Sequence, residues 1–114
     1  MRASPLEQWS VSVAQGEIVT RDGGGARRAM AIAALRRVVV ATDDSGPWGA
    51  DVVFLLYADG AEPVGLFPLE ARGAKDFVAW MSGLPGYQDA ALQAAMGSTR
   101  VARFDVLAVV ADGG

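Results

Sequence analysis

The stretch TRDGGGARR, residues 20–28, sets Gly23, Gly24 and Gly25 between Asp22 and the pair Arg27–Arg28. Glycine-rich backbone can bring its N–H groups up to an anion, and cations beside it attract phosphate. The nucleotide versions of this device need more. A phosphate loop places Lys and Ser or Thr straight after its glycines, and a dinucleotide loop needs G-x-G-x-x-G; neither spacing is present. Two readings remain: an anion site around Arg27 and Arg28, or a hairpin loop in which glycine supplies positive φ cheaply. The hairpin is the expected one.

Two other groups of residues could do chemistry. Asp43, Asp44 and Asp51 surround SGPWGA. Carboxylates so clustered can hold calcium, but the D-x-D-x-D-G spacing is missing. As an acid/base pair they would need burial and a cleft, and the pattern promises neither. Trp48 sits in the same polar loop, where an aromatic side chain can anchor a partner. Arg36 and Arg37 would face opposite sides of a strand, so at most one can extend the basic patch, and salt bridging within the chain is expected of them. The candidate ligand-binding residues are therefore Arg27, Arg28 and Trp48. No catalytic residue, metal ligand or cofactor is assigned.

Composition narrows the chemistry. The chain has no cysteine and no histidine, so thiol nucleophiles, disulfides and the commonest general base are missing. Lys75 is the only lysine. Serine, threonine and tyrosine hydroxyls have no visible activating base, which leaves a hydrolase as a weak third reading. Net charge is −3 but unevenly spread: residues 1–40 carry six arginines against three acids, and residues 41–114 carry four cations against ten acids. An acidic chain with one small basic patch is a poor ligand for nucleic acid. No apolar run reaches the ~20 residues that span a bilayer. The opening MRASPLEQWS lacks the apolar core of a secretory leader, so the expected location is cytoplasmic. At 114 residues and 52% hydrophobic, the chain is expected to form one globular domain over 1–114, its last residues frayed.

The elements that must position these residues are mostly strands. WSVSVA (9–14) alternates, with Trp9, Val11 and Val13 on one face; EIVTR (17–21) follows after a turn. The alanines of 26–37 favour helix, which would put a helix start behind the glycine loop. At 100° per residue, however, Arg27, Arg28, Arg36 and Arg37 point in four directions and leave no apolar stripe. We read 27–32 as a strand, 33–37 as a tight turn and 37–43 as another strand, with the helix kept as an alternative. DVVFLLYADGAEPVGLFPLEA (51–71) reads as a hairpin around Asp59-Gly60. Its first strand is apolar on both faces, Val52, Phe54 and Leu56 against Val53, Leu55 and Tyr57. Such a strand is central in a sheet or lies at an interface. Pro63 and Pro68 push the second strand to an edge or bulge. Phe77, Trp80, Met81 and Leu84 form a helical stripe over 73–83, ended by Gly83 and Pro85. A second helix spans 87–96, with Leu92 and Met96 on one side and Gly97 as its cap. A last strand, 100–110, turns Phe104 and Val106 inward.

Strands followed by helices predict an α+β fold: an antiparallel, strongly bent sheet or partial barrel of six to seven strands with two helices in the C-terminal half. The sequences RRAMAIAALRRVVVATD, DVVFLLYADGAEPVGLFPLEA and DFVAWMSGLPG resemble the small bacterial proteins with a pleckstrin-homology-like barrel, Leu35 anchoring the short turn. The tail LPGYQDAALQAAMGSTRVARFDVL resembles the ends of uncharacterised bacterial proteins of this size. The extra helix and last strand depart from a plain pleckstrin-homology domain, which ends on its helix. The resemblance implies binding or scaffolding and carries no catalytic residue with it. The expected function is a non-enzymatic protein-interaction module that self-associates as a dimer. Its warrants are the two-faced strand 52–57 and the alanine-rich strand 29–34, whose small side chains let another backbone approach. The alternative is a small-ligand or anion-binding barrel.

Overall fold

A computed structural model describes residues 8–42, 52–98 and 100–109. The strands are β1 (Ser10–Ala14), β2 (Glu17–Arg21), β3 (Arg27–Ala31), β4 (Arg37–Thr42), β5 (Val52–Tyr57), β6 (Gly65–Pro68) and β7 (Ala102–Ala108). A 3-10 turn, Ile32–Ala34, joins β3 to β4, so 26–37 is strand and turn and not a helix. The helices are α1 (Ala74–Met81) and α2 (Asp89–Met96). The fold is α+β with two antiparallel sheets, ordered β1-β2-β3 and β6-β5-β4-β7, that do not close into a barrel.

The main core lies on one face of the four-stranded sheet, where Val38, Val40, Phe54, Leu56 and Phe67 meet Phe77 and Met81 of α1 and Leu92 and Ala95 of α2. Val11 and Ile18 bring the inner face of the three-stranded sheet into the same core. Aromatic rings hold its centre. Phe54 and Phe67 stack at 5.0 Å, and Phe77 meets Phe67 edge-on at 5.1 Å. Each such pair adds to what burial alone supplies. The opposite face of the four-stranded sheet carries a second cluster of Val39, Leu55 and Tyr57, flanked by Ala41, Val53 and Leu66. The two-faced strand is therefore the central β5, and Leu55 and Tyr57 are 8% and 2% exposed within one chain. They offer no surface to a second copy.

Several sequence expectations change in detail. Asp59-Gly60 is not a two-residue hairpin tip; β5 and β6 are joined by residues 58–64, and Asp59 pairs with Arg36 instead. The second strand is an edge strand, as its prolines require. On α2 the buried residues are Leu92 and Ala95, while Met96 is exposed. The helix packs on β7 and β4, where the small Ala95 permits close approach. Gly97 caps it, in right-handed geometry. A bulge between Val38 and Val39 shifts the β4–β7 register, so consecutive residues Val106 and Leu107 are both buried where strict alternation turns only one inward. Trp80 and Trp9, both expected in the core, are half-buried and pack against its margin.

Two outer strands are covered along their edges by main chain. Val11 N–H donates to the Arg72 carbonyl at 2.8 Å, and Arg72 N–H donates to Trp9. At the other end, Gln88 N–H donates to Val106 at 2.8 Å and Ala108 N–H to Gly86. Each crossing needs a glycine. Gly73 (φ 86°) and Gly86 (φ 92°) are left-handed, and a Cβ would strike the Val11 carbonyl oxygen at the first and the Ala108 carbonyl oxygen at the second.

Candidate interaction site

The glycine loop connects β2 to β3. Its shape is set by Asp22, whose Oδ1 accepts from Gly24 N–H at 2.8 Å and from Ala26 N–H at 2.9 Å. Asp22 N–H donates to the Ala26 carbonyl, and Gly25 N–H to the Asp22 carbonyl. Gly25 takes φ 90°, the turn conformation glycine was expected to supply. The N–H groups that could have cradled a phosphate are thus directed at the chain's own carboxylate. An incoming anion would have to displace Asp22 and face its charge. Arg27 and Arg28 are both exposed, and the hollow beside Arg28, with Thr20, Asp22 and Leu66, is only about 60 Å³. That is room for a few waters and too little for a nucleotide.

Arg36 and Arg37 are used within the chain. Arg36 Nη1 donates to the carbonyls of Ala33 (2.9 Å) and Leu35 (3.2 Å), closing the 3-10 turn, while its Nε lies 3.2 Å from Asp59 Oδ1. Arg37 lies over the Tyr57 ring at 4.2 Å and 3.8 Å from Asp105. Neither reaches Arg27 or Arg28, so the basic patch read from the sequence is not assembled. Trp48 and the acids Asp43, Asp44 and Asp51 lie outside the described residues. Among the described residues no group of acids is gathered as a metal site would require, and no helix is long and apolar enough to cross a membrane.

What the hairpin presents is β3 itself. The hydrogen bonds Asp22 N–H to Ala26 and Ile32 N–H to Gly16 fix the parity of the ladder. With the observed register, Thr20/Arg28 and Ile18/Met30 are the hydrogen-bonded pairs, and Arg27, Ala29 and Ala31 turn their N–H and C=O groups away from β2. No described strand pairs with them. The side chains of Arg27, Ala29 and Ala31 are all exposed, on the face away from the core. An edge of this kind is a template for another chain, which natural sheets usually block. Here the arginines guard one end, and the Ala29–Ala31 half has methyl groups alone. Sequence reading found the small side chains but could not find the open backbone, because that depends on which strand lies outermost.

A second feature is an apolar groove of about 330 Å³ between the 3-10 turn and the Leu84–Gly86 segment, lined by Ile32, Leu35, Leu84, Pro85 and Val109. It contains neither Arg27 nor Arg28.

Compared with known protein families, with curated proteins and with solved structures, the chain matches none.

Proposed function

We propose that this chain is a non-enzymatic, cytoplasmic protein-interaction module that binds an extended polypeptide by strand addition along β3. The observation that carries the reading is the outward row of N–H and C=O groups on Arg27, Ala29 and Ala31 beside exposed alanine methyls. Main-chain hydrogen bonds along such an edge supply affinity, and the side chains of every second residue supply selectivity. The resemblance to pleckstrin-homology-like barrels, drawn from the rhythm of the strands, points to the same class of role. The covered edge of β1 supports it too, since it leaves β3 as the strand edge with accessible backbone on the three-stranded sheet among the described residues.

The test is to pan random extended heptapeptides, displayed on phage, against the wild-type chain and against Ala29→Pro. Proline removes an N–H that the hairpin does not use, so the fold persists while the edge loses a donor. Peptides retained by the wild type and lost on Ala29→Pro are the expected result. Peptides retained equally by both overturn it. If those peptides protect Ile32, Leu84 and Val109 from hydrogen exchange or labelling, the small-ligand reading of the apolar groove takes its place.

A further inference from the structure

We infer that the partner taken by the β3 edge is a second copy of this chain, paired antiparallel about Ala29, with Glu17 of each copy in an ion pair with Arg27 of the other. The inference rests on the strand-addition reading and names its partner.

The argument comes from register. A twofold axis through Ala29 puts Ala29 opposite its own copy, Arg27 opposite Ala31, and Arg28 opposite Met30. Arg27, Ala29 and Ala31 are the residues whose backbone groups point outward. In this register every outward N–H meets an outward C=O, and the two three-stranded sheets become one. Any shift by one residue would set outward groups against inward ones and break the ladder. The twofold register also keeps the arginines apart. Arg27 meets a methyl group, and the stem of Arg28 lies along the partially buried Met30 of the partner.

Charge favours the same arrangement. Within one chain Arg27 stands directly opposite Arg21, and both are exposed, an unfavourable like-charge pair. Glu17 stands opposite Ala31 on the same face of the sheet and has no ion-pair partner among the described residues. Across the twofold, the row runs Glu17, Ala31, then Arg27 of the second copy. The two charged residues are two strand spacings apart, about 10 Å between backbones. Only the Ala31 methyl lies between them, and two long side chains can meet over it. Each copy's unpaired acid thus lies within reach of the other's crowded base, at both ends of the interface.

The experiment is sedimentation equilibrium on the full chain at several concentrations, with circular dichroism as a control on folding. The wild type should be a dimer, and Ala29→Pro a folded monomer. Glu17→Arg and Arg27→Glu should each weaken association at least tenfold, because each sets like charges across the axis. Arg27→Glu also places an acid opposite Arg21, so its loss of dimer cannot be blamed on a damaged hairpin. The decisive arm is mixing. Glu17→Arg chains carry two cations at these positions and Arg27→Glu chains carry two anions, so an equimolar mixture should form a heterodimer as tight as the wild type to within threefold.

A wild type that stays monomeric to millimolar concentration overturns the self-pairing and leaves the peptide result above to stand or fall by itself. A dimer indifferent to Ala29→Pro overturns the β3 location. A dimer lost in Ala29→Pro but not regained on mixing the two charge variants overturns the register.

Discussion

The two sheets are made of strands of similar length, and they bury their faces differently: the larger is covered on both, the smaller on one. Around the four-stranded sheet, both faces of β5 are buried and the outer side of β7 is bonded to Gly86 and Gln88. The three-stranded sheet buries one face, covers β1 with Arg72, and leaves β3 bare among the described residues. The difference teaches where each sheet's stability resides. In the larger sheet it comes from packed side chains, above all the rings of Phe54, Phe67 and Phe77. In the smaller one it comes from a single inner face, Val11 and Ile18 on the shared core, beside a local hairpin closed by Asp22.

The largest effect should come from Phe67→Ala, which removes a ring stacked on one neighbour and edged by another. A loss of about 3–5 kcal/mol is expected in urea unfolding. On β3, Ala29→Ser should stay within about 0.5 kcal/mol; a comparable loss there would break the contrast. Next is the edge cover. Gly86→Ala combines left-handed strain with a clash against the Ala108 carbonyl, and about 3 kcal/mol should be lost. Gly25→Ala has the same sign of φ but open space around it, so it should cost only the backbone strain, about 1–2 kcal/mol. The gap between these two isolates what the crossing over β7 demands.

Smaller again is Asp22→Ala, which frees the amides of Gly24 and Ala26. A loss of about 1 kcal/mol is expected, with faster exchange confined to that loop. The smallest effect is electrostatic. Tyr87 bridges to Leu107 beside β7, and its hydroxyl donates to Asp89 Oδ1 at 3.0 Å. Burial, then the hydrogen bond and charge of Asp89, raise its pKa above the ordinary 10.0. A raised value favours the protonated phenol in the folded state, so its contribution holds below pH 10 and fades as pH rises through the shifted value. In a Tyr57→Phe background a single phenol titrates by ultraviolet absorbance. Asp89→Asn should then lower its midpoint part of the way, leaving the share due to burial.

Much of this was legible in the residues. Alternation located β1 and β3, a continuous apolar run located β5, and the direction of four arginines separated strand from helix at 26–37. The stripe Phe77, Met81 fixed α1. What escaped has a common cause: it depends on residues distant in sequence. Met96 and Ala95 are both plausible inward residues until β7 and β4 decide how closely α2 approaches. Asp59-Gly60 carries a hairpin signal, and β5 and β6 do form a hairpin, but its loop runs over residues 58–64. Gly73 and Gly86 carry no signal of their own in the sequence, and their need for glycine is visible only once Val11 and Ala108 stand beneath them. For the site, the sequence marked Arg27 and Arg28 as anion-seeking, and it held no sign that Asp22 fills the glycine loop itself. The small side chains of β3 are exposed, whereas the burial of Leu55 and Tyr57 withdraws strand 52–57 as a contact surface.

The β4–β7 pairing has a consequence for the order in which the chain assembles. The Thr42 hydroxyl donates to the Arg100 carbonyl at 2.7 Å, joining residues 58 apart in sequence. The β1–β2–β3 meander, by contrast, closes within residues 10–31. Short loops close first, and pairings between distant segments are slow. During synthesis the meander can therefore form while the ribosome is still making α1 and α2. β4 must wait for β7 with its own outer side bare, a transient hazard for newly made chains crowded on one message. The last-made strand ends that exposure, and among the described residues β3 and β6 then remain as the outermost strands without a further partner.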